Sequence, residues 1–193
     1  MKKFAFAALL AASVAAPAFA QNNAPFTGFR AEGIVGYDNA DVQGGSDDGV
    51  VYGGGIGYDF QFGGAVAGVE AEISDSTVDD CANDFLAVGD RVCAQIGRDI
   101  YVGGRIGAVV NPRTLVYAKA GYVNGRQQVD YDDGTAGGLN DFEVSDDLDG
   151  VRVGGGLEYA MGPNSFIKAE YRYSNYEQDV EKHQGVVGFG FRF

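Results

Sequence analysis

The stretch Gly185-Val186-Val187-Gly188-Phe189-Gly190-Phe191-Arg192-Phe193 decides the fold, and the chain ends with it. Phe189, Phe191 and Phe193 recur at every second position, which is the side-chain period of a β-strand. One face of this strand is therefore wholly apolar. In water, such an uncovered strand would be an aggregation-prone edge. We therefore predict a strand whose apolar face contacts the hydrocarbon of a membrane.

The same alternation of apolar and polar residues recurs along the chain. It predicts eight strands, at about 27–38, 50–60, 65–74, 98–109, 114–124, 150–160, 166–175 and 184–193. Short connections at 61–64, 110–113 and 161–165 alternate with long ones at 39–49, 75–97, 125–149 and 176–183. Each strand has about the 9–11 residues that cross a bilayer when tilted. The sequence thus predicts an all-β fold, an eight-stranded antiparallel up-and-down transmembrane β-barrel with short periplasmic turns and long extracellular loops.

The two faces of each predicted strand differ in chemistry. Ile167 and Ala169, for example, alternate with Lys168 and Glu170. Aromatic residues gather at the ends of the apolar faces: Phe29, Tyr58, Phe60, Tyr159 and Phe193 near the short turns, and Tyr37, Tyr52, Tyr122 and Tyr173 near the long loops. An aliphatic band between two aromatic girdles is typical of a lipid-facing barrel wall. A soluble eight-stranded cup would instead have an apolar lumen and a polar exterior.

The polar face of the strands then lines the lumen. It carries charges of both signs: Arg30, Glu32, Glu70, Glu72, Arg105, Lys119, Arg152, Glu158, Lys168, Glu170, Arg172 and Arg192. An eight-stranded interior is only wide enough for side chains to fill it. Because an isolated buried charge costs several kcal/mol, we expect these charges to pair in a structural network. A narrow pathway for small solutes is the alternative.

The N-terminus has the pattern of a secretory signal peptide. Lys2 and Lys3 precede a short apolar run at 4–14, and Ala18-Phe19-Ala20 fits an A-x-A cleavage site. The run is shorter than the roughly 20 residues of a spanning helix. The predicted domains are a cleaved signal peptide at 1–20 and an outer-membrane β-barrel domain at 21–193.

The charge balance limits the classes of partner. The whole chain carries a formal net charge of −13, and removal of the two signal lysines would make the mature protein more acidic. This argues against nucleic-acid binding, which needs a basic face. Acidic residues are densest in the predicted loop at 125–149, but Asp130-Tyr131-Asp132-Asp133-Gly134 lacks the register of an EF-hand. Weak binding of divalent cations or of host surfaces by the loops remains an alternative to simple solvation.

Cys81 and Cys93 both fall in the second predicted loop. In an exported protein, two cysteines so placed predict a disulfide, which would contribute about 3 kcal/mol by loop-closure entropy. A zinc site would need four nitrogen or sulfur ligands, and His183, the one histidine of the chain, falls in another predicted loop. We therefore predict neither a metal site nor a cofactor.

His183 is also the one candidate for histidine-based catalysis. An enzyme acting on membrane lipid would need a nucleophile and an orienting carboxylate within reach of the imidazole. Ser174 is the nearest serine in sequence, and nothing in the sequence brings it and His183 together. We expect a solvated loop histidine, no catalytic residues and no enzymatic activity.

Three stretches resemble the OmpA-like transmembrane β-barrel superfamily, namely Thr114–Tyr122 (TLVYAKAGY), Val153–Ala160 (VGGGLEYA) and Ile167–Tyr173 (IKAEYRY). The chain is most similar to the small outer-membrane surface antigens and opacity-like proteins of alphaproteobacteria, a group often labelled porin family. The resemblance implies the outer membrane of a Gram-negative bacterium, contact with its lipid and lipopolysaccharide, and a structural or surface-exposed role in envelope integrity or surface interaction. A small-solute, porin-like channel is the alternative, and a lipid-modifying enzyme a more distant one. Phe189, Phe191 and Phe193 also resemble the C-terminal signal that the barrel-assembly machinery recognises.

Overall fold

The computed structural model describes residues 25–42, 45–77, 79–83, 91–132, 142–177 and 180–193. Its elements are nine strands: β1 (Gly28–Val42), β2 (Gly45–Phe62), β3 (Ala65–Ser76), β4 (Asp79–Asn83), β5 (Arg91–Asn111), β6 (Thr114–Asp132), β7 (Phe142–Ala160), β8 (Ser165–Tyr176) and β9 (Val180–Arg192). Within these residues, no helix is long and apolar enough to span a membrane.

The nine strands form one closed antiparallel sheet. β9 pairs back with β1, from Arg30 opposite Arg192 to Asp41 opposite Glu181, and this pairing closes the barrel. β3 and β4 both pair with β5, so they occupy one position in the wall. The wall therefore has eight positions, and the predicted fold class is confirmed. Closure leaves no unpaired edge in the wall, which hydrocarbon requires because it offers the backbone no hydrogen bonds.

The short turns lie where the sequence predicted them. β2 and β3 are joined through Gly63 and Gly64, and Gly63 has a φ of 62°. A residue with a side chain rarely adopts this left-handed conformation, so glycine suits the tight turn. The turns after β5 and β7 contain Pro112 and Pro163 outside the ladder, where the missing N–H costs no hydrogen bond.

The strands extend well past the aromatic girdle at the other end of the barrel. β1 and β2 stay paired until Val42 faces Gly45, and β6 and β7 stay paired until Tyr131 faces Phe142. Much of the predicted loop at 125–149 is therefore strand, which corrects our expectation that it contributes none. Two strands that leave the barrel already paired can add ladder bonds without closing a new loop, and this outweighs the weak strand propensity of Asp and Gly.

The outer wall is apolar, with aromatic side chains toward both ends. The predicted girdle residues Phe29, Tyr58, Phe60, Tyr159 and Phe193, at the short-turn end, and Tyr37, Tyr52 and Tyr122, at the other, are all exposed; Tyr173 is half-buried. Phe189 and Phe191 also face outward. Aliphatic side chains such as Val69, Val102, Ile106 and Leu157 lie between the girdles. This is the surface that a bilayer covers.

Candidate functional site

The lumen is filled by charged side chains of both signs. Among the described residues, eight buried cations line it: Arg30, Arg105, Lys119, Arg152, Lys168, Arg172, Lys182 and Arg192. Eight buried carboxylates accompany them: Glu32, Asp38, Asp59, Glu70, Glu72, Asp99, Glu158 and Glu170. Every member of the set lies within salt-bridge distance of at least one opposite charge. The described lumen is therefore electrically neutral, as a site with little access to water requires.

Asp59 is the centre of the network nearest the short turns. Its carboxylate accepts two hydrogen bonds from Arg105, at 2.8 and 2.6 Å. Arg192 Nη2 lies 3.0 Å from the same carboxylate and Arg30 Nε lies 3.2 Å from it. Glu158 in turn pairs with Arg105 at 3.0 Å and with Arg192 at 2.8 Å. Three arginines thus share two carboxylates, and the planar guanidinium groups suit such forked contacts.

Lysines link the carboxylates in the middle of the barrel. Lys119 Nζ lies 2.7 Å from Glu70 and 3.0 Å from Glu170. Lys168 donates to Glu32 at 2.6 Å. Tyr117 donates its hydroxyl to Glu170, also at 2.6 Å. These bonds cross the lumen between strands that are not neighbours in the sheet, so they brace the wall from within.

The network continues toward the long connections. Arg172 donates to Glu72 at 2.7 Å. Arg152 donates to Asp99 at 2.8 Å and to Ser174 at 2.7 Å. Lys182 lies between two carboxylates, 3.2 Å from Asp38 and 3.3 Å from Asp99.

An apolar cluster closes each end of the charged region. Phe26, Val66, Leu115 and Tyr117 pack together at the short-turn end. Tyr101, Val123, Leu148, Tyr176 and Val180 pack together at the other end. Cations join the clusters to the network, since Arg192 lies 5.5 Å from the Phe26 ring and Lys119 lies 4.5 Å from the Tyr101 ring. The lumen therefore runs from apolar to ionic to apolar layers.

The structure places all twelve lumen residues named from the sequence on the inner face. Asp38, Asp59, Asp99 and Lys182 complete the network, and our sequence reasoning did not include them. The first three share the parity of neighbouring polar-face residues, so the period of two could have identified them. Lys182 lies in a segment that we assigned to a loop.

His183 lies in β9 and not in a loop, which corrects our expectation. The strand begins at Val180 because it pairs with the extended part of β1. His183 faces lipid, in register with Tyr173, and shares a hydrogen bond of 2.7 Å with the Tyr171 hydroxyl. Ser174 faces the lumen, where it binds Arg152. The wall of the barrel separates Ser174 from His183, so these two cannot form a catalytic pair.

Cys81 and Cys93 lie in β4 and β5 and not in an irregular loop. Their backbones are directly opposite each other in the antiparallel ladder. Their side chains lie outside the part that the structure describes, as do residues 133–141 of the acidic loop predicted at 125–149. In the remainder, no group of three or more His, Cys, Asp or Glu side chains is arranged to hold a metal ion.

Comparison with known protein families identifies the family of this chain. Residues 4–193 match the outer membrane protein beta-barrel domain family. The chain belongs to this family. It is thus an integral barrel of the Gram-negative outer membrane, as the sequence predicted. A search of curated proteins found no match.

Several solved structures share the fold at low sequence identity. The Neisserial surface protein A (NspA) superposes with a TM-score of 0.61 at 18% identity, over 86% of this chain and 98% of its own. Ail, the attachment invasion locus protein of Yersinia pestis, in complex with the heparin analogue sucrose octasulfate, gives 0.57 at 18% identity, over 86% and 99%. A major outer membrane protein from Thermus thermophilus gives 0.54 at 12% identity, over 84% and 99%. These similarities concern the fold alone.

Proposed function

We propose that this protein is a sealed, non-enzymatic structural barrel that anchors surface-exposed β-extensions in the outer membrane. The observation that carries the proposal is the filled lumen, in which a neutral ion-pair network lies between two apolar clusters. A solute would have to displace paired, buried charges, and leaving one such charge without its partner costs about 3–5 kcal/mol. The barrel therefore maintains the envelope and presents its extensions, and it does not transport.

Conductance across a planar bilayer tests this proposal against the porin-like alternative. Protein purified from outer membranes should show no steady conductance. The paired variant Glu70→Ala with Lys119→Ala removes both members of a central pair, keeps the lumen neutral and should admit ions. The matched control Arg126→Ala with Asp147→Ala removes an exposed pair on the β6–β7 extension and should leave the barrel closed. Steady conductance of the wild-type protein would favour the channel.

The chain ends have roles in export and assembly in this proposal. Residues 1–20 act as a signal peptide that is cleaved between Ala20 and Gln21, which the n-region, apolar run and A-x-A site support. Phe189, Phe191 and Phe193 engage the barrel-assembly machinery, and their outward exposure on the closing strand supports this.

A disulfide joins Cys81 and Cys93 in this proposal. Directly opposed residues of an antiparallel pair have Cα atoms about 4.5–5.5 Å apart, which lies within the 4.4–6.8 Å that disulfides span. The register of β4 and β5 supports the bond for this reason. It would staple the extension above the membrane.

The net charge of the chain indicates which surface partners it favours. Ail was crystallised with a sulfated heparin analogue, but a chain with a net charge of −13 is poorly matched to a polyanion. We favour divalent cations, which would link the acidic extensions to lipopolysaccharide, or basic patches on a host surface. If the protein still binds host cells after divalent cations are removed by a chelator, the host surface is favoured over cation-mediated contact with lipopolysaccharide.

A further inference from the structure

An open slot lies on the lipid-facing wall where β8, β9 and β1 meet. Its floor is Gly185, which lies in register between Tyr37 on one side and Tyr171 on the other. A Cβ atom at Gly185 would meet no atom within 4 Å, and the two tyrosines are 55% and 57% exposed. Because neighbouring strands are about 4.8 Å apart, the tyrosine Cα atoms are about 10 Å apart. The space above Gly185, between two exposed tyrosines, is therefore open to the bilayer.

The slot continues toward the middle of the membrane over apolar surface. Two adjoining concavities of about 790 and 470 Å³ share the lipid-facing residues Val35, Leu157, Ala169 and Val187. Below Gly185 on β9 lies Val187, between Val35 on β1 and Ala169 on β8, and the small Ala169 leaves the surface recessed on the β8 side. In a bilayer hydrocarbon fills such a groove, because an empty one forfeits the dispersion contacts of its lining.

The outer end of the slot carries hydrogen-bonding groups. His183 shares its hydrogen bond with Tyr171, and in register beside it Asn39 donates its amide to Asp48 at 2.7 Å. Hydrogen bonds from Tyr37 and Asn39 lower the pKa of the Asp48 carboxyl, so it stays an ionised acceptor. A carboxylate, an imidazole and an amide suit hydroxyl groups, whereas the carboxylate repels a bare phosphate.

We propose that this slot binds one acyl chain of an outer-leaflet glycolipid, with the sugar hydroxyls of its headgroup against His183, Asn39 and Asp48. The polar end lies on the side of the long connections, which face outward, and this selects the outer leaflet. The acyl chain packs on the apolar floor, and the sugar hydroxyls form hydrogen bonds with the polar groups at the outer end. The slot lies on the outer wall, so its occupancy does not depend on whether the lumen conducts.

Native mass spectrometry of the purified barrel tests the slot, with the uncharged glycolipid glucosylceramide as the probe and phosphatidylethanolamine as the comparison lipid. The wild-type protein should retain one glucosylceramide molecule. Gly185→Leu fills the slot and should weaken retention at least about tenfold, equivalent to about 1.4 kcal/mol. The matched control is Gly104→Leu, since Gly104 is a glycine of β5 on the opposite wall whose added Cβ makes only an ordinary 3.5 Å contact. It should retain glucosylceramide like the wild type.

A second arm separates the headgroup from the chain. His183→Ala should reduce the preference for glucosylceramide over phosphatidylethanolamine and leave retention of the latter unchanged. Equal retention of glucosylceramide by Gly185→Leu and wild type would overturn the slot, and equal retention of both lipids by the wild type would overturn its glycolipid selectivity. If Gly185→Leu lacks the heat-modifiable gel mobility of a folded barrel, Ala169→Leu is tested in its place. Weakened retention of the glycolipid by Ala169→Leu would then support the slot, and retention equal to that of the wild type would overturn it.

Discussion

Neutralising Asp59 tests most directly how the lumen is held together. Asp59→Asn keeps the shape of a fully buried side chain that contacts Arg105, Arg192 and Arg30 at 2.6, 3.0 and 3.2 Å. The substitution removes the negative charge and turns amide hydrogens toward guanidinium groups, which have no acceptor. It leaves one uncompensated positive charge inside the barrel.

The expected loss is set by the charge that is left unpaired. At an effective dielectric constant of about 20, one contact near 3 Å corresponds to about 5 kcal/mol. Adding the energies of all three contacts would overestimate the loss, because each arginine retains another ion pair. Arg105 and Arg192 still pair with Glu158, and Arg30 still pairs with Glu70. Removing one partner of a buried pair costs about 3–5 kcal/mol, and we expect the free energy of unfolding to fall by that amount. With a urea dependence of about 2 kcal/mol per M, the midpoint falls by roughly 2 M.

Urea titration of barrels refolded into lipid vesicles, followed by far-UV circular dichroism, measures this loss. Glu181→Gln is the matched control, because Glu181 is exposed on the extended part of β9, and its midpoint should stay close to that of the wild type. Asp59→Asn with Arg192→Gln restores the charge balance and should recover part of the loss. The reasoning is refuted if Asp59→Asn costs less than about 1 kcal/mol, or if the balanced double variant is no more stable than the single one.

Three further predictions concern other parts of the chain. Non-reducing peptide mass spectrometry should find Cys81 linked to Cys93, and free thiols at both in protein from the envelope would exclude the disulfide. Phe193→Asp should impair insertion into the outer membrane but not export, as cell fractionation would show; normal insertion would contradict the assembly role. Hydrogen bonds from Tyr122 and Asn124 lower the pKa of the Asp149 carboxyl, so the stability that this carboxylate contributes is present above its unfolded pKa and lost as the pH falls through its folded pKa. NMR titration should find that pKa below the ordinary aspartate value and raised toward it by Tyr122→Phe; an unchanged pKa in the variant would exclude the hydrogen bond as its cause.

The sequence did not predict the extended strands or the position of His183 in the wall. The segments at 39–49 and 125–149 are rich in residues with weak strand propensity, so local pattern predicted loops there. Their pairing is inherited from strands that the barrel already holds in register. Strand β9 begins early for the same reason, and this places His183 in the wall.

The sequence by itself determined which side chains face lipid and which face the lumen. A strand has a period of two, so parity alone assigns Lys168 and Glu170 to one face and Ile167 to the other. Only the tertiary structure decided which charges meet. Arg172 binds Glu72, 100 residues away, and Lys168 binds Glu32, 136 residues away. Such partners depend on the register of every strand between them and on closure of the sheet, which no local pattern contains.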